Sequence, residues 1–349
     1  MRFPLIAMVL LAHSLGFQQY HVSLSLDGWN VYHFFSEMIS HNLCQLTVCW
    51  FFVFSGYLFF RNLPQQGLFG QWLAEKWKRR FWTLLVPYLI WNTLPMIATY
   101  IKANLFARLG ISQMEYVPSS LFSGFNPIPR YLTGPANFPL WFMRDLIVMS
   151  ILAPLVYLFF KKLPRYGGII VLFILFLLPF ETSILTWRGY FFFSLGAFLG
   201  IQQLNMLSLC NRVKWPAAAL AVILLLVATF YNDAPFHDWL LRIFYPFGMI
   251  TFMNIMDYIT RKENICNCLC NLSATVFFIY AVHEIYILGW TRGFFLRTFG
   301  EGLAGTWIRY IFVPIVVLGV CLALYFVLNR IMPRTLAFVC GGRSNNKKQ

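Results

Sequence analysis

Two residues near the start of the chain are spaced for chemistry inside a membrane. Arg2 and His13 lie in the apolar stretch MRFPLIAMVLLAHSLGF, and a helix advances about 16 Å over such a separation. One side chain can therefore lie at a membrane surface while the other reaches the middle of a helix bundle. Neutral imidazole costs less to bury than a fixed charge and can accept a proton from a hydroxyl, which suits a general base. The alternative is a structural histidine that a neighbouring helix satisfies.

Two pairs of adjacent ionisable residues interrupt later apolar segments, where such side chains are expensive and mark functional sites. Arg144 and Asp145 lie in FPLWFMRDLIVMSILAPLVY, and His283 and Glu284 lie in ATVFFIYAVHEIYIL. Neighbours on a helix point about 100° apart. We therefore expect Arg144 and Asp145 to have different partners, one in the bundle and one a ligand. We expect Glu284 to serve a histidine on another helix rather than His283.

A run of cations occurs in EKWKRRF (75–81), which is predicted to be a loop. It contains Lys78 and the adjacent Arg79 and Arg80. Such a run can act only as a signal for membrane orientation. The alternative is a site for a phosphorylated ligand, because guanidinium groups bind phosphate in a bidentate fork.

The composition indicates that these residues lie in a polytopic membrane protein. Of the 349 residues, 59% are hydrophobic and 11% are charged, where soluble domains have about 25% charged residues. A membrane span needs about 20 apolar residues. By that measure about ten helices are predicted, at 3–19, 42–60, 82–101, 139–159, 167–180, 188–204, 215–231, 239–259, 271–290 and 306–329. A signal peptide at the N-terminus is disfavoured, because no small-residue cleavage site follows and apolar segments recur along the chain.

The net charge of +15 points to a membrane surface rather than to nucleic acid. If the N-terminus is cytoplasmic, most Lys and Arg fall in cytoplasmic segments, which predicts that both termini are cytoplasmic. The predicted domains are a transmembrane domain at 1–333 and a short basic tail at 334–349. Two outer segments, 21–42 and 102–138, are either solvated connections or binding sites for an acceptor. The Cys266-Asn-Cys-Leu-Cys270 run lacks the usual zinc spacing, so reduced thiols are expected there.

Four motifs occur along the chain in a characteristic order. They are the Arg-x10-His pair (Arg2, His13), FFVFSGYLFF (51–60), a basic run leading to VPYLIW (86–91), and PLWFMRDL (139–146). With RGYFFFSLGAFLG and LSATVFFIYAVH in later helices, they resemble acyltransferase family 3, the membrane-bound O-acyltransferases of bacterial surface glycans. Each motif is weak singly, but the resemblance covers essentially the whole chain.

The resemblance implies an all-α bundle in the bacterial inner membrane. It also implies transfer of an acyl group, with acetyl expected, from cytoplasmic acetyl-CoA or another acyl-CoA. The acceptor would be a hydroxyl of an extracytoplasmic glycan or a lipid-linked saccharide. No metal is expected. By position, His13 matches the catalytic histidine, as general base or transient acyl carrier, and Arg80 matches the first arginine of an Arg-x-x-Arg motif.

The resemblance and the residue pattern together give a predicted set of site residues. The predicted catalytic residues are His13, Arg2 and His283, and the predicted acyl-CoA contacts are Lys78, Arg79, Arg80, Trp141 and Arg144. The sequence departs from the family at three places. Thr83 stands where the second arginine of the loop motif is expected, so Lys78 or Arg79 would replace that contact. Only Met1 precedes Arg2, and His-Glu stands at 283–284 where many members have His-Pro.

Two rival functions are compatible with the same residues. One is transfer of a different acyl group, such as succinyl, or transfer to a non-carbohydrate alcohol. The other is a transporter or exporter of glycan intermediates in which buried His and Arg relay protons or bind substrate. Labelled acetyl-CoA separates an enzyme from a carrier, since a carrier yields no labelled product.

Overall fold

The chain is all-helical wherever the computed structural model describes it, which is at residues 1–14, 20–64, 68–108, 131–178 and 180–342. These ranges contain no β-strand, and Thr182 and Leu185 make one isolated bridge. The helices, in chain order, are α1 (Arg2–Ser14), α2 (Gly28–Phe35), α3 (Leu46–Phe60), α4 (Phe69–Arg80), α5 (Val86–Arg108), α6 (Trp141–Ile151), α7 (Ala153–Lys162), α8 (Arg165–Leu177), α9 (Trp187–Ile201), α10 (Met206–Arg212), α11 (Lys214–Phe230), α12 (His237–Thr260), α13 (Glu263–Leu272), α14 (Val276–Val282), α15 (Leu288–Phe299), α16 (Leu303–Ile331) and α17 (Pro333–Val339).

Several of these helices are long and apolar enough to cross a membrane. Four continuous helical stretches meet that test, at Gly28–Phe60, Phe69–Ile101, His237–Thr260 and Leu303–Ile331. Three bent pairs raise the number to seven if each pair is one span, namely α6 with α7, α9 with α10, and α13 with the helical stretch Val276–Phe299. Shorter apolar helices, α1, α8 and α11, accompany them. The predicted all-α membrane architecture is confirmed, while the number of ten spans and the orientation of the termini stay predictions.

The predicted outer segment 21–42 is largely helical, which corrects its boundary. A π-helical turn (Ser36–Asn42) and a short 3₁₀ turn join α2 to α3, so helix runs from Gly28 to Phe60. The polar residues in this stretch face protein rather than water. Glu37 is fully buried and its Oε1 accepts a backbone N–H at 2.9 Å, and Asn42 donates to Thr229 Oγ1 at 3.2 Å. Polarity here indicates buried partners and not a loop. Of the other outer segment, residues 109–130 lie outside the described residues.

The cationic run 75–81 is also helical and not the predicted loop. It forms the end of α4 and enters the π-helical turn Phe81–Leu85, which leads directly into α5. One face of α4 is anchored, because Leu73 is buried and the Trp77 indole donates to the Ser150 carbonyl at 2.7 Å. The opposite face is polar, so α4 is an amphipathic helix. The cations therefore extend from a fixed helical scaffold.

The described residues form two compact units. Unit 1 comprises Met1–Asn62 and Phe192–Val327. Unit 2 comprises Leu63–Phe191 and the following segment 328–342. Within unit 2, α17 is tied down because the Trp91 indole donates to the Val339 carbonyl at 2.9 Å. The start of the predicted tail is therefore a packed helix, residues 343–349 lie outside the described residues, and the boundary at 333 stays a prediction.

Within unit 1, α3 and the second half of α9 pack backbone against backbone. A Cβ atom on Gly56 would lie 2.1 Å from the Phe193 carbonyl oxygen, and one on Gly196 would lie 2.1 Å from the Val53 carbonyl oxygen. Small residues allow this approach between helices in a membrane, where dispersion contacts replace the hydrophobic effect. This pair of glycines fixes α3, and α3 in turn contacts α1. Helix α1 also contacts the π-helical turn Ser36–Asn42, α13 and α14, which surround it in unit 1.

Candidate active site

The helix that carries His283 breaks immediately after that residue. Helix α14 ends at Val282, and the π-helical turn His283–Ile287 contains two residues with non-helical backbone angles. Tyr286 has φ 64° and ψ −32°, in the left-handed region. A non-glycine residue held there costs about 1–3 kcal/mol, so surrounding contacts must maintain it. One such contact is the stacking of the Tyr286 ring on Trp290, with centroids 5.5 Å apart.

This break brings three ionisable side chains together in unit 1. Glu284 Oε2 lies 3.8 Å from His13 Nδ1 and 3.9 Å from His283 Nε2. The two imidazole rings meet edge to face, with centroids 5.3 Å apart. The prediction that Glu284 serves a histidine on another helix is confirmed for His13. The expectation that Glu284 points away from His283 is wrong, because the backbone leaves α-helical geometry directly after this pair.

The hydrogen bonds of His283 define its tautomer. Its Nδ1 lies 3.1 Å from the Ile279 carbonyl oxygen and 3.0 Å from that of Tyr280. Both oxygens are acceptors only, so Nδ1 carries the proton and Nε2 presents a lone pair. His283 is fully buried, and neither its Nε2 nor Glu284 Oε2 has a hydrogen-bond partner among the described residues. Buried polar atoms are rarely left unpaired, so this gap suits a hydroxyl or a proton.

Arg292 adds a positive charge to the same site. It lies on α15, is half-buried, and donates from Nε to the Ser14 carbonyl at the end of α1, at 2.9 Å. Its charge acts on both Glu284 and His13. Sequence reasoning placed Arg292 in an outer loop, because the apolar pattern ends near residue 290. A search for helical continuation to Phe299 would have found it.

The three side chains also form a donor set of the kind that binds zinc. Among the described residues, the ligand atoms of His13, His283 and Glu284 all lie within 4.8 Å of one another. Two histidines and a glutamate form known catalytic zinc sites, with bonds of about 2.0–2.2 Å. Ligand atoms on a tetrahedral ion at that distance are about 3.4 Å apart, so these side chains would have to move closer. The absence of a metal stays a prediction.

The other predicted site residues are distributed over both units. Arg2 is exposed in the first turn of α1, at the opposite end from His13. Lys78 and Arg79 are exposed and Arg80 is half-buried in the last turn of α4, in unit 2. Their exposure leaves them accessible to an anionic ligand. Trp141, at the start of α6, is half-buried.

Arg144 and Asp145 form a buried pair within unit 2. Arg144 Nη2 lies 2.9 Å from Asp145 Oδ1, which corrects the expectation that these neighbours cannot meet. Each also has separate partners, because Arg144 Nη1 donates to the Thr133 and Ser183 carbonyls and Asp145 Oδ2 accepts from Thr186. Long side chains let adjacent residues meet although their Cβ atoms diverge. The donors of Arg144 are thus engaged by protein, and its contact with acyl-CoA stays a prediction.

An aromatic cluster precedes the π-helical turn that packs on α1. The rings of Tyr20 and His33 stack in parallel with centroids 4.4 Å apart, and Trp29 lies 6.2 Å from His33. Tyr32 meets Trp307 edge to face at 5.4 Å. Trp29 is 43% exposed, so the cluster has an open side. Rings with polar edges provide both an apolar face and hydrogen-bonding groups.

Comparisons with known proteins agree with this geometry. A family model of acyltransferase family 3, described as an acyltransferase domain, matches residues 1–326. The chain is 27% identical over 341 residues to the succinoglycan biosynthesis protein ExoH of Rhizobium meliloti (strain 1021), covering 93% of this chain and 86% of that protein. No solved structure matches significantly. A match of this extent, on an all-helical membrane protein with its histidine on the first helix, shows that the chain belongs to acyltransferase family 3.

Proposed function

We propose that this protein transfers an acyl group from acyl-CoA to a hydroxyl of an extracytoplasmic glycan or lipid-linked saccharide, with His13 as the general base. The observation that carries the proposal is the approach of Glu284 to His13, at 3.8 Å. A carboxylate beside an imidazole stabilises the imidazolium that forms when the imidazole accepts a proton. The family assignment supports acyl transfer, and the name of the ExoH relative supports a glycan as acceptor.

The proposed reaction balances with these groups alone. His13 removes the proton from the acceptor hydroxyl as its oxygen attacks the thioester carbonyl carbon. A carbon–oxygen bond forms and the carbon–sulfur bond breaks. The imidazolium then returns the proton to the CoA thiolate, so that an ester and free CoA leave. The charge on Glu284 favours the intermediate state in which His13 is protonated.

His283 is suited to a positioning role. It is fully buried, whereas the side chain of His13 is 18% exposed and therefore accessible to reactants. Backbone carbonyls hold the His283 ring, and its Nε2 lone pair faces Glu284 Oε2. A proton or hydroxyl between these two acceptors would satisfy both. His283 thereby orients the carboxylate that supports His13.

The cationic end of α4 is the proposed contact for the phosphates of CoA. Lys78 and Arg79 are exposed and Arg80 is half-buried in one helical turn. Cations in the last turn also interact favourably with the helix dipole, which explains why they can be concentrated there. The phosphates of CoA are multiply charged and match guanidinium forks.

The aromatic cluster Tyr20, Trp29, Tyr32, His33 and Trp307 is the proposed acceptor surface. It lies on the chain segment that leads into the π-helical turn packed against α1. Saccharides have apolar ring faces and hydroxyl edges, and aromatic side chains with polar edges complement both. An acceptor held here would lie in the same unit as His13.

The test is acyl transfer by the purified full-length protein in lipid nanodiscs. Labelled acetyl-CoA and labelled succinyl-CoA are offered separately, with lipid-linked saccharides extracted from a strain that lacks this gene. We expect labelled saccharide from the wild-type protein and a rate about 10²–10⁴-fold lower for His13→Ala, the usual contribution of a general base. The matched control is His21→Ala, since the His21 side chain is 72% exposed.

Two results would reject the proposal. Transfer by His13→Ala at the wild-type rate would remove His13 from the reaction. Movement of saccharide without any labelled product would indicate a carrier. Label retained on the protein without acceptor would show that His13 carries the acyl group transiently instead of acting only as a base.

A further inference from the structure

Arg292 has binding capacity at the active site that the protein itself does not use. Its Nε donates to the Ser14 carbonyl. Its two terminal amino groups have neither a hydrogen bond nor an ion pair among the described residues, and Glu284 reaches within 4.0 Å of His13 and His283 only. A role as cap of α1 uses one donor. The remaining fork is the group that binds a carboxylate through two parallel hydrogen bonds.

The position of Arg292 along α1 indicates which reactant atoms it can meet. Arg2, at the start of α1, marks the end from which the family resemblance implies that acyl-CoA arrives. Ser14 lies one residue beyond His13, towards the other end of the helix. With the thioester carbonyl at His13, the CoA portion extends back towards Arg2. The free end of the acyl chain then extends past His13, towards Ser14 and Arg292.

The length of the acyl chain separates the candidate donors. In an extended succinyl group the second carboxyl carbon lies about 4 Å from the thioester carbon. An acetyl group ends at its methyl carbon and has no group that a guanidinium would bind. A cation at this depth favours a donor that supplies its counter-charge, because an unpaired charge in such a site is costly.

We propose that Arg292 is a carboxylate-binding subsite and that its ligand is the free carboxylate of a dicarboxylic acyl group of succinyl size. This inference rests on the proposed function, because it concerns the donor of the same reaction. It makes Arg292 a determinant of donor choice. The chemical source that competes with the acyl group is a carboxylate on an acidic acceptor sugar.

The experiment is a competition between two donors on the purified full-length protein in nanodiscs. Equimolar succinyl-CoA and acetyl-CoA, carrying different labels, are offered with lipid-linked saccharides, and the ratio of the two esters is measured. We expect the wild-type protein to favour succinyl. In Arg292→Gln the succinyl-to-acetyl ratio should fall about 10- to 100-fold, the usual worth of a charge-assisted bidentate contact. Arg292→Lys, which keeps the charge but loses the fork, should give an intermediate ratio.

The matched control is Arg297→Gln, which removes an exposed arginine from the same helix. It should leave the ratio unchanged. A second arm compares acceptor saccharides with and without a uronic acid, using one donor. A change confined to this arm in Arg292→Gln would overturn the assignment to the acyl group and move the carboxylate to the acceptor.

The remaining outcomes separate this inference from the proposed function. If the wild-type protein makes no ester from either donor, the proposed function fails. If the wild-type protein makes ester and Arg292→Gln lowers both products equally, Arg292 only caps α1 and the inference is overturned. Retained acetyl transfer in Arg292→Gln shows that the variant folds, so a selective loss of succinyl transfer cannot come from misfolding.

Discussion

Replacing Glu284 by glutamine isolates what a negative charge contributes beside His13. Glutamine has the same shape as glutamate and keeps one oxygen acceptor, so the change removes charge with little loss of packing. In the proposed reaction the imidazolium of His13 exists only after proton transfer. The charge of Glu284 therefore stabilises the transition state more than the ground state, and its loss should lower kcat.

The magnitude follows from the separation of the two groups. Glu284 Oε2 lies 3.8 Å from His13 Nδ1. Coulomb's law with an effective dielectric constant of about 20 gives an attraction of about 4 kcal/mol at such a distance. That corresponds to about a thousandfold in rate. Arg292 also interacts with Glu284, and the amide dipole of glutamine replaces part of the lost attraction. We therefore expect kcat to fall about 100- to 1,000-fold.

The assay is steady-state transfer in nanodiscs with the donor varied. Because Glu284 contacts His13 and His283, KM for acyl-CoA should change less than about threefold, and the loss should appear in kcat. The control is Glu263→Gln on α13, whose side chain is exposed. If Glu284→Gln kept more than a third of wild-type kcat, or lost activity only through KM, the pairing of Glu284 with His13 would have no part in proton transfer.

Three further predictions test the helix packing, the helix break and the cationic helix end. Gly56→Ala should lower the thermal unfolding temperature and cost about 1–3 kcal/mol or more, since its Cβ would lie 2.1 Å from a backbone oxygen of α9, whereas Gly70→Ala should not, because it meets open space; equal stability of the two variants would contradict the packing. Tyr286→Gly should keep activity, because glycine adopts positive φ freely, whereas Tyr286→Val should lose it; the reverse order of activity would show that the left-handed conformation is not what matters. The double change Lys78→Ala with Arg79→Ala should raise KM for acyl-CoA about 5- to 30-fold at unchanged kcat, and an unchanged KM would remove this helix end from the donor site.

Much of the fold followed from apolar segment length, because a bilayer imposes one ruler on every helix. The prediction failed where polar residues occur in helices that are covered by protein. Glu37 and Asn42 lie in a helical stretch whose polar groups find partners on other segments. A sequence read one segment at a time cannot supply those partners. It therefore treats buried polarity as exposure, and predicted spans end too early.

The site was predictable as far as single residues, but not as an arrangement. The position of His13 and the need of Glu284 for a distant histidine followed from helical spacing. The contact of Glu284 with His283, and the presence of Arg292, did not. Both depend on the backbone angles at Ile285 and Tyr286, and neither residue type signals a positive φ or a helix break.

The helix break explains why His-Glu can function at a position where an unbroken helix would separate the two side chains. In a regular helix the carboxylate and imidazole would diverge by about 100°, and Glu284 could reach only one histidine. The non-helical turn lets one carboxylate lie within 4 Å of His13 and His283. Because α15 continues from the same turn, it also brings Arg292 to the end of α1. A single local distortion thus sets the base, its carboxylate and the cation we assign to donor choice, so substitutions that straighten this turn should affect all three together.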